Sequence, residues 1–480
     1  MNIKTRTLTG IACSLLAAGA ACAGDLPAAL SARAGALGLD PAGIVVGVVD
    51  LGDGRRVVDY RTDVPAAPAS TAKLVSTLAA LEELGAAHRF RTDFAVERLP
   101  GADGRIGKLY IRGGGDPTWV VEEFDLDLMR LRALGVKRID GDVVLDRSLF
   151  EPEDASRNDF DGRGSRPYNS LPDAALVNYR SLSFDIRPDK DAGVARVVGL
   201  PALDGVSYPR SLPLSKGACG RWRDKIGYRL DPAGDGYRVR FTGSFPASCG
   251  EKSFNVVSFS ADEYFERLFR ASWKRLGGVW KGRVVEGAAP EKARVLYSRT
   301  SRPLSDVIRL TNKFSNNLLA RHLFLALGSA DGTEGGVLSK ERSRAWLARW
   351  SAEHGLDPKG VFIDNGSGLS RETRVTGRFM TDLLVEGWNG PYMSEYLSSL
   401  PITGEDGTMR NRAVAPRYAR IKTGLISGVR AVGGYVHAEN GRRYAVFAVV
   451  EGDRNIGNGI PFLNSVIDWV DKLPGKAVRR

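Results

Sequence analysis

Residues 70–73 read Ser70-Thr71-Ala72-Lys73, just after Pro65 and Pro68 and at the head of a run with apolar residues at Leu74, Leu78, Leu81 and Leu84. That spacing predicts a helix that begins at Ser70 and is stopped by Gly85. Positions three apart on a helix share a face, with Cβ atoms about 5–6 Å apart, so the Lys73 amine can reach the Ser70 hydroxyl. A lysine that is partly desolvated and flanked by other cations has its pKa lowered and can take the serine proton as a base. Ser and Lys are common residues, however, and an exposed helix start accounts for this quartet unless other elements converge on it.

Two such elements occur further along. Ser315-Asn316-Asn317 lies within a stretch predicted to be helical from Leu304 to Leu327, and Lys422-Thr423-Gly424 precedes a small-residue strand signal ending at Val436. Alternative hydrolytic devices are missing from the sequence. No Ser sits in Gly-x-Ser-x-Gly, and His88, His322, His354 and His437 are widely spread with no His-Glu-x-x-His, which disfavours an α/β-hydrolase and a metallopeptidase.

The order Ser-x-x-Lys, Ser-x-Asn, Lys-Thr-Gly is that of penicillin-binding proteins and serine β-lactamases. Around it stand Gly114-Gly115-Asp116-Pro117-Thr118, Asn365-Gly366-Ser367-Gly368-Leu369-Ser370-Arg371 and Gly404-Glu405-Asp406-Gly407-Thr408. With the large gap before Ser315, the chain resembles the D-alanyl-D-alanine carboxypeptidase/endopeptidase family, the penicillin-binding protein 4 (DacB) type. The resemblance implies an α/β transpeptidase-like core, an antiparallel sheet with flanking helices, that carries a β-rich insertion. It implies Ser70 as acyl-enzyme nucleophile, Lys73 as its base, Ser315 as proton relay to the leaving amine, and Asn317 as a holder of the substrate amide. Lys422 and Thr423 would bind the terminal carboxylate, and the N–H groups of Ser70 and Leu425 would form the oxyanion hole. Gly424 would keep the strand clear for the peptide lying along it. Peptidoglycan peptides are the implied partners, β-lactams the covalent inhibitors, and no metal or organic cofactor is required.

Ser70 and Ser315 must meet although the intervening chain is long, so that chain must leave the core and return. From Phe90 the period changes to two, with Phe90, Thr92, Phe94 and Val96 on one face, and Leu109-Tyr110-Ile111, Asp142 to Asp146 and Gly236 to Thr242 are further strand candidates. One helical run, Asp125 to Leu134, interrupts them. Arg187 to Lys252 is turn-rich, and Ser260-Ala261-Asp262-Glu263 is a capping box opening a helix that Gly277-Gly278 ends. The expected division is a first core segment at 24–88, one or two inserted β-rich domains at 89–289, and a second core segment at 290–480. Flanking the insertion, Leu26 to Leu37, Lys340 to His354, Val375 to Gly387 and Pro461 to Leu473 read as helices; Gly43 to Asp50, Arg55 to Asp59, Val432 to Glu439 and Arg443 to Glu451 read as strands.

The 480 residues are 43% hydrophobic and 26% charged, the balance of a folded soluble protein. The net charge of +12 suits an anionic surrounding, but the Lys and Arg are scattered without a run, which disfavours nucleic acid. At the N-terminus Lys4 and Arg6 precede an apolar stretch from Leu8 to Ala20 and then Ala21-Cys22-Ala23, a secretory leader pattern with cleavage expected after Ala23. The apolar stretch is short for a bilayer crossing, so no stable membrane anchor and a periplasmic location are expected. Cys13 and Cys22 leave with the leader. Cys219 and Cys249 are then the remaining pair in a chain bound for an oxidising compartment, and a disulfide is expected.

Two rivals share the motifs. A serine β-lactamase would need a water activator, for which Glu353-His354-Gly355-Leu356-Asp357 is a near match, although a helix end with Gly355 as its C′ residue explains the segment more simply. A non-catalytic wall-binding protein would have no need of intact Ser70, Lys73, Ser315 and Lys422. Trp273, Trp346, Trp350 and Trp469 fall on expected helices as core or groove aromatics, and the tail Lys476 to Arg480 reads as solvated.

Overall fold

The computed structural model describes residues 24–474 apart from 332–335, 416–417 and 453–455. The leader at 1–23 and the basic tail at 476–480 lie outside the described residues.

The run Ile44–Asp50 is apolar at nearly every position, and all seven residues are buried, as a strand covered on both faces requires. It is flanked in an antiparallel five-stranded sheet of order Arg420–Ile426, Val429–His437, Arg443–Glu451, Ile44–Asp50, Arg56–Tyr60. Alternation along the strand sends Val45 and Val49 to one face, where they pack with Leu74, Leu78, Leu319 and Phe379. Ile44, Val46 and Val48 face the other way, onto Leu30 of the helix Ala28–Ala36 and Phe462, Leu463 and Val466 of the helix Ile456–Asp471. Gly47 is required here. A Cβ on it would lie 2.8 Å from Thr381 Cγ2, in the helix Gly377–Asn389 that crosses the strand.

The helix Lys73–Leu84 is buried at every position from Lys73 to Leu81, so the sheet and neighbouring helices enclose it on all sides. The strands from both ends of the sequence thus hold the helix whose first residue is Lys73.

Between Phe90 and Ser301 the chain builds other sheets. The two residues clip the exit to the return: Phe90 N donates to Ser301 Oγ at 2.9 Å, and Ser301 N donates to Phe90 O at 2.8 Å. Next to this neck is a five-stranded sheet of order Val284–Glu286, Val143–Asp146, Leu109–Arg112, Arg91–Val96, Arg294–Thr300. The helices Val121–Ala133 and Ala261–Arg275 pack with it through Phe94, Trp119, Phe124, Phe265, Phe269 and Trp273. The helix at Ala261 starts as its capping sequence predicts, with Ser260 Oγ accepting from Glu263 N at 3.2 Å.

The region read as turn-rich, Arg187 to Lys252, is instead mostly strand. Leu182–Asp189, Val194–Leu200, Ser211–Ser215, Phe245–Pro246 and Lys252–Val256 form a second five-stranded sheet, and Ile226–Ala233 pairs with Gly236–Gly243 in a three-stranded one. Pro188, Pro213 and Pro232 lie within these strands, although proline is depleted in strand interiors. Cys219 and Cys249 are bonded, closing a loop of sequence separation 30 beside the cluster of Phe184, Phe245 and Phe254.

Helix dominates Leu304 to Leu327 as expected, in two helices, Leu304–Lys313 and Asn317–Leu327, parted where Ser315 adopts a left-handed φ of 55°. The break is capped by Asn316, whose Oδ1 accepts from Leu318 N at 3.0 Å and Leu319 N at 3.2 Å.

Replacing Cys219 and Cys249 by Ser should lower the thermal stability of the second sheet by about 3–4 kcal/mol on the loop-entropy account of a 30-residue loop, and leave the helix at Lys73 intact. Thermal melts of the double variant against the parent check the first expectation, and hydrogen exchange by segment checks the second.

Candidate active site

Ser70 sits in a 3-10 turn, Ala69–Ala72, that leads into the helix at Lys73. The turn is entered through Ala69 at φ 47°, a conformation that L residues rarely adopt, and Thr71 Oγ1 ties it down by donating to Pro68 O at 2.6 Å. Ser70 remains partly exposed while Lys73 is fully buried.

The Lys73 Nζ has three oxygen neighbours: Ser70 Oγ at 3.0 Å, Asn317 Oδ1 at 2.7 Å and Ser367 O at 2.5 Å. An ammonium would spend all three protons on them. A neutral amine donates to the amide and carbonyl oxygens, which can only accept, and turns its lone pair to the serine, the one neighbour that also carries a proton. Burial pushes the Lys73 pKa well below the usual lysine value, and the charges of Lys422 and Arg321 push it further. Geometry and electrostatics therefore favour the same state.

Ser315 reaches the site from the break between two helices. Lys422 Nζ donates to its Oγ at 2.7 Å and to Thr423 O at 2.7 Å. Lys422 is fully buried on the strand Arg420–Ile426, and burial lowers its pKa to about 7. Thr423 Oγ1 donates to Thr408 Oγ1 at 2.8 Å, which links the strand to the Gly404–Thr408 segment. In that segment Asp406 Oδ2 meets Lys313 Nζ at 2.6 Å and so anchors the helix end just before Ser315. Leu425 is 60% exposed on the same strand, at the edge of the sheet.

Gly424 has a cause that the sequence did not show. A Cβ there would lie 2.6 Å from Pro68 O and 3.1 Å from Ala69 Cβ, so the glycine admits the turn carrying Ser70 against the strand. Asn317, expected to hold substrate, is also engaged within the protein: its Oδ1 accepts from Lys73 Nζ and its Nδ2 donates to Tyr168 O at 3.1 Å.

Three contributors escaped the sequence reading. Ser367, within the quoted Asn365–Arg371 motif, acts through its backbone carbonyl; Gly368 at φ 73° brings that loop so close that a Cβ on it would meet Ala69 O. Tyr168 also acts through a carbonyl, and Arg321 through charge alone. Backbone acceptors leave no residue-type signal, and Arg321 is one arginine among many. Of the four histidines none bonds to Ser70 among the described residues; His322 is buried with Nδ1 2.9 Å from Gly115 O, and burial lowers its pKa to about 4. The Glu353 to Asp357 segment is a helix end as expected, with Gly355 N donating to Ala352 O and Leu356 N to Ser351 O, the paired bonds of a Schellman cap. Glu82, His354 and Glu386 bring potential metal-ligating atoms within 4.8 Å of one another, but at the far end of the helix that starts at Lys73.

A profile of the D-Ala-D-Ala carboxypeptidase 3 (S13) family matches residues 28–460. The D-alanyl-D-alanine carboxypeptidase of Actinomadura sp. (strain R39) is 31% identical over 432 residues, covering 84% of this chain and 77% of that protein. The crystal structure of penicillin binding protein 4 from Haemophilus influenzae superposes with a TM-score of 0.73 at 20% identity, over 92% of this chain and 99% of that one. A complex of that protein with a β-lactam gives a TM-score of 0.69 at 21% identity over the same shares of the two chains. The fold is thus that of penicillin binding protein 4, with β-rich sheets added to a mixed α/β core, and the chain belongs to the D-Ala-D-Ala carboxypeptidase 3 family.

Proposed function

We propose that this protein is a serine D-Ala-D-Ala carboxypeptidase and DD-endopeptidase, exported to the periplasm by the leader at 1–23, that trims peptidoglycan stem peptides and opens their cross-links. The observation that carries the reading is Lys73 Nζ, 3.0 Å from Ser70 Oγ and held by two acceptor-only oxygens. Ser70 Oγ attacks the carbonyl carbon of the penultimate D-alanine and gives its proton to the Lys73 lone pair. The N–H groups of Ser70 and Leu425 receive the oxyanion. The C–N bond then breaks, and Ser315 relays to the leaving amine the proton that Lys73 took from Ser70, so that Lys73 is neutral again while Lys422 keeps its charge against the Ser315 oxygen. Water hydrolyses the acyl-enzyme with Lys73 again as base. Lys422, bonded to Ser315 Oγ and to the carbonyl of Thr423, would bind the terminal carboxylate together with Thr423. A β-lactam mimics the acyl bond, so Ser70 is also the site of covalent inhibition.

Within this reading, segments 24–88 and 290–480 form the peptidase core and 89–289 the insertion. The pairing of Arg294–Thr300 with Arg91–Val96 favours an end to the insertion at the neck by Ser301.

Labelled penicillin should add one covalent mass to a Ser70 peptide and none to Ser70→Ala. A label elsewhere, or rapid release of the drug as in a β-lactamase, contradicts the reading.

Lys73→Arg keeps a cation that cannot be deprotonated, so it should lose about 10²–10⁴ in acylation rate, nearly as much as Lys73→Ala. Single-turnover acylation by a chromogenic β-lactam checks this, with circular dichroism reporting the fold. A rate close to the parent's would assign the base elsewhere.

The pH profile separates the two lysines. Lys73 acts when neutral, so kcat/KM should rise as pH passes its lowered pKa; Lys422 binds a carboxylate when charged, so kcat/KM should fall above about pH 7. In Lys422→Ala, or with substrates amidated at the C-terminus, the alkaline fall should vanish. Its persistence there would take the carboxylate from Lys422.

A further inference from the structure

The space beside Ser315 is larger than two alanyl residues need. A cavity of about 980 Å³ opens at Phe314–Asn317 and runs across the inserted segment as far as Trp222 and Arg223. At its mouth Phe314 is 68% exposed, an apolar side chain with little of the protein against it.

Charge is unevenly placed along the walls. Glu122 and Asp125 line one part, and Asp125 is already paired with Arg275 at 2.5 Å. Arg166 and Arg223 line another part, both half-buried. The Arg166 side chain has neither an ion pair nor a hydrogen bond among the described residues. Arg223 has its guanidinium carbon 4.2 Å from the centre of the Phe254 ring and donates Nη1 to Ile226 O at 2.6 Å, while its buried Nε has no partner. The acid nearest in sequence, Asp224, faces Arg221 at 3.5 Å. Both guanidiniums line the same cavity, and burial and then the Arg166 charge lower the Arg223 pKa against the opposing charge of Asp224. Two half-buried cations with donors unspent are a site for an anion, and a guanidinium takes a carboxylate through two parallel bonds.

The reaction supplies the direction. Ser315 protonates the leaving amine, so whatever is attached to that amine departs past Ser315, where this cavity opens. In a cross-linked substrate the attached group is a whole second stem peptide, which carries carboxylates of its own.

We propose that the cavity receives the second stem peptide of a cross-linked substrate, and that Arg166 and Arg223 bind a carboxylate of that leaving strand. The inference rests on the DD-peptidase reading and assigns the inserted segment a part in substrate choice.

The test compares a purified cross-linked muropeptide dimer, an uncross-linked pentapeptide and labelled penicillin on the full chain and on Arg166→Gln, Arg223→Gln and the double variant. Losing a charged hydrogen-bonded partner should cut kcat/KM for the dimer by about 10- to 100-fold, mainly through KM. Pentapeptide trimming and penicillin acylation should stay within about twofold of the parent, since neither carries a second strand. Arg166→Lys should regain part of the loss by keeping the charge. Because Arg223 also packs on Phe254, the Arg166 variants test the subsite where Arg223→Gln destabilises the fold, and retained penicillin stoichiometry reports folding.

Equal losses on all three substrates, a double variant that cuts dimers like the parent, or a parent that trims pentapeptide but leaves dimers intact would each overturn the subsite. Failure of the parent to be acylated at Ser70 would instead overturn the peptidase reading beneath it.

Discussion

The contact on which the molecule turns is that between a fully buried lysine amine and a serine hydroxyl at 3.0 Å. Leaving a charged amine unsolvated is costly, and a buried lysine escapes the cost by giving up its proton. The scaffold then has to hold that amine away from water, keep other cations near it, and provide acceptors that direct its lone pair. Each demand falls on a different part of the chain. The sheet and the enclosed helix provide the burial, Lys422 on the edge strand and Arg321 on the helix Asn317–Leu327 provide the charge, and the Ser367 carbonyl and Asn317 amide provide the direction.

The inserted segment takes part in this arrangement through its backbone. Tyr168 O receives the second function of Asn317, so the amide that orients Lys73 is itself oriented from outside the core sheet. His322 works in the same sense. Its buried ring links Gly115 O to Asp173 N, and because burial lowers its pKa to about 4, it joins the insertion to the helix after Ser315 without adding a buried charge. The clip between Phe90 and Ser301 fixes the neck. An insertion tied at these points can shape substrate access and still leave the reacting groups in register.

The site was legible in the sequence where its chemistry lies in side chains. Ser70, Lys73, Ser315 and Lys422 meet as their motifs imply, because each must present a particular functional group. Ser367 and Tyr168 were not legible, since a carbonyl oxygen is common to every residue. The break at Ser315 within the helical stretch Leu304 to Leu327 was not legible for a related reason: apolar periodicity continues on both sides of Ser315, and the break lies in one backbone torsion and one Asn316 cap. Gly236 to Thr242 was legible as a strand, but Pro188, Pro213 and Pro232 lie within other strands between Leu182 and Ala233, where proline argues against a strand. Gly424 was recognised as necessary, but its neighbour is the Ser70 turn, a contact between segments distant in sequence.

Two residues of the site stand in a backbone region that side chains avoid: Ala69 at φ 47°, immediately before Ser70, and Ser315 itself at φ 55°. Each costs roughly 1–2 kcal/mol relative to an ordinary conformation, an amount the surrounding packing must supply. The reactive geometry is therefore a loaded spring held shut by the fold. When the neighbouring packing loosens, these torsions are the first to gain by relaxing, and the two hydroxyls drift apart while most of the core is still in place. Loss of activity on heating then runs ahead of the loss of structure, and selection for a working site carries with it selection for a rigid frame well beyond the residues that touch substrate.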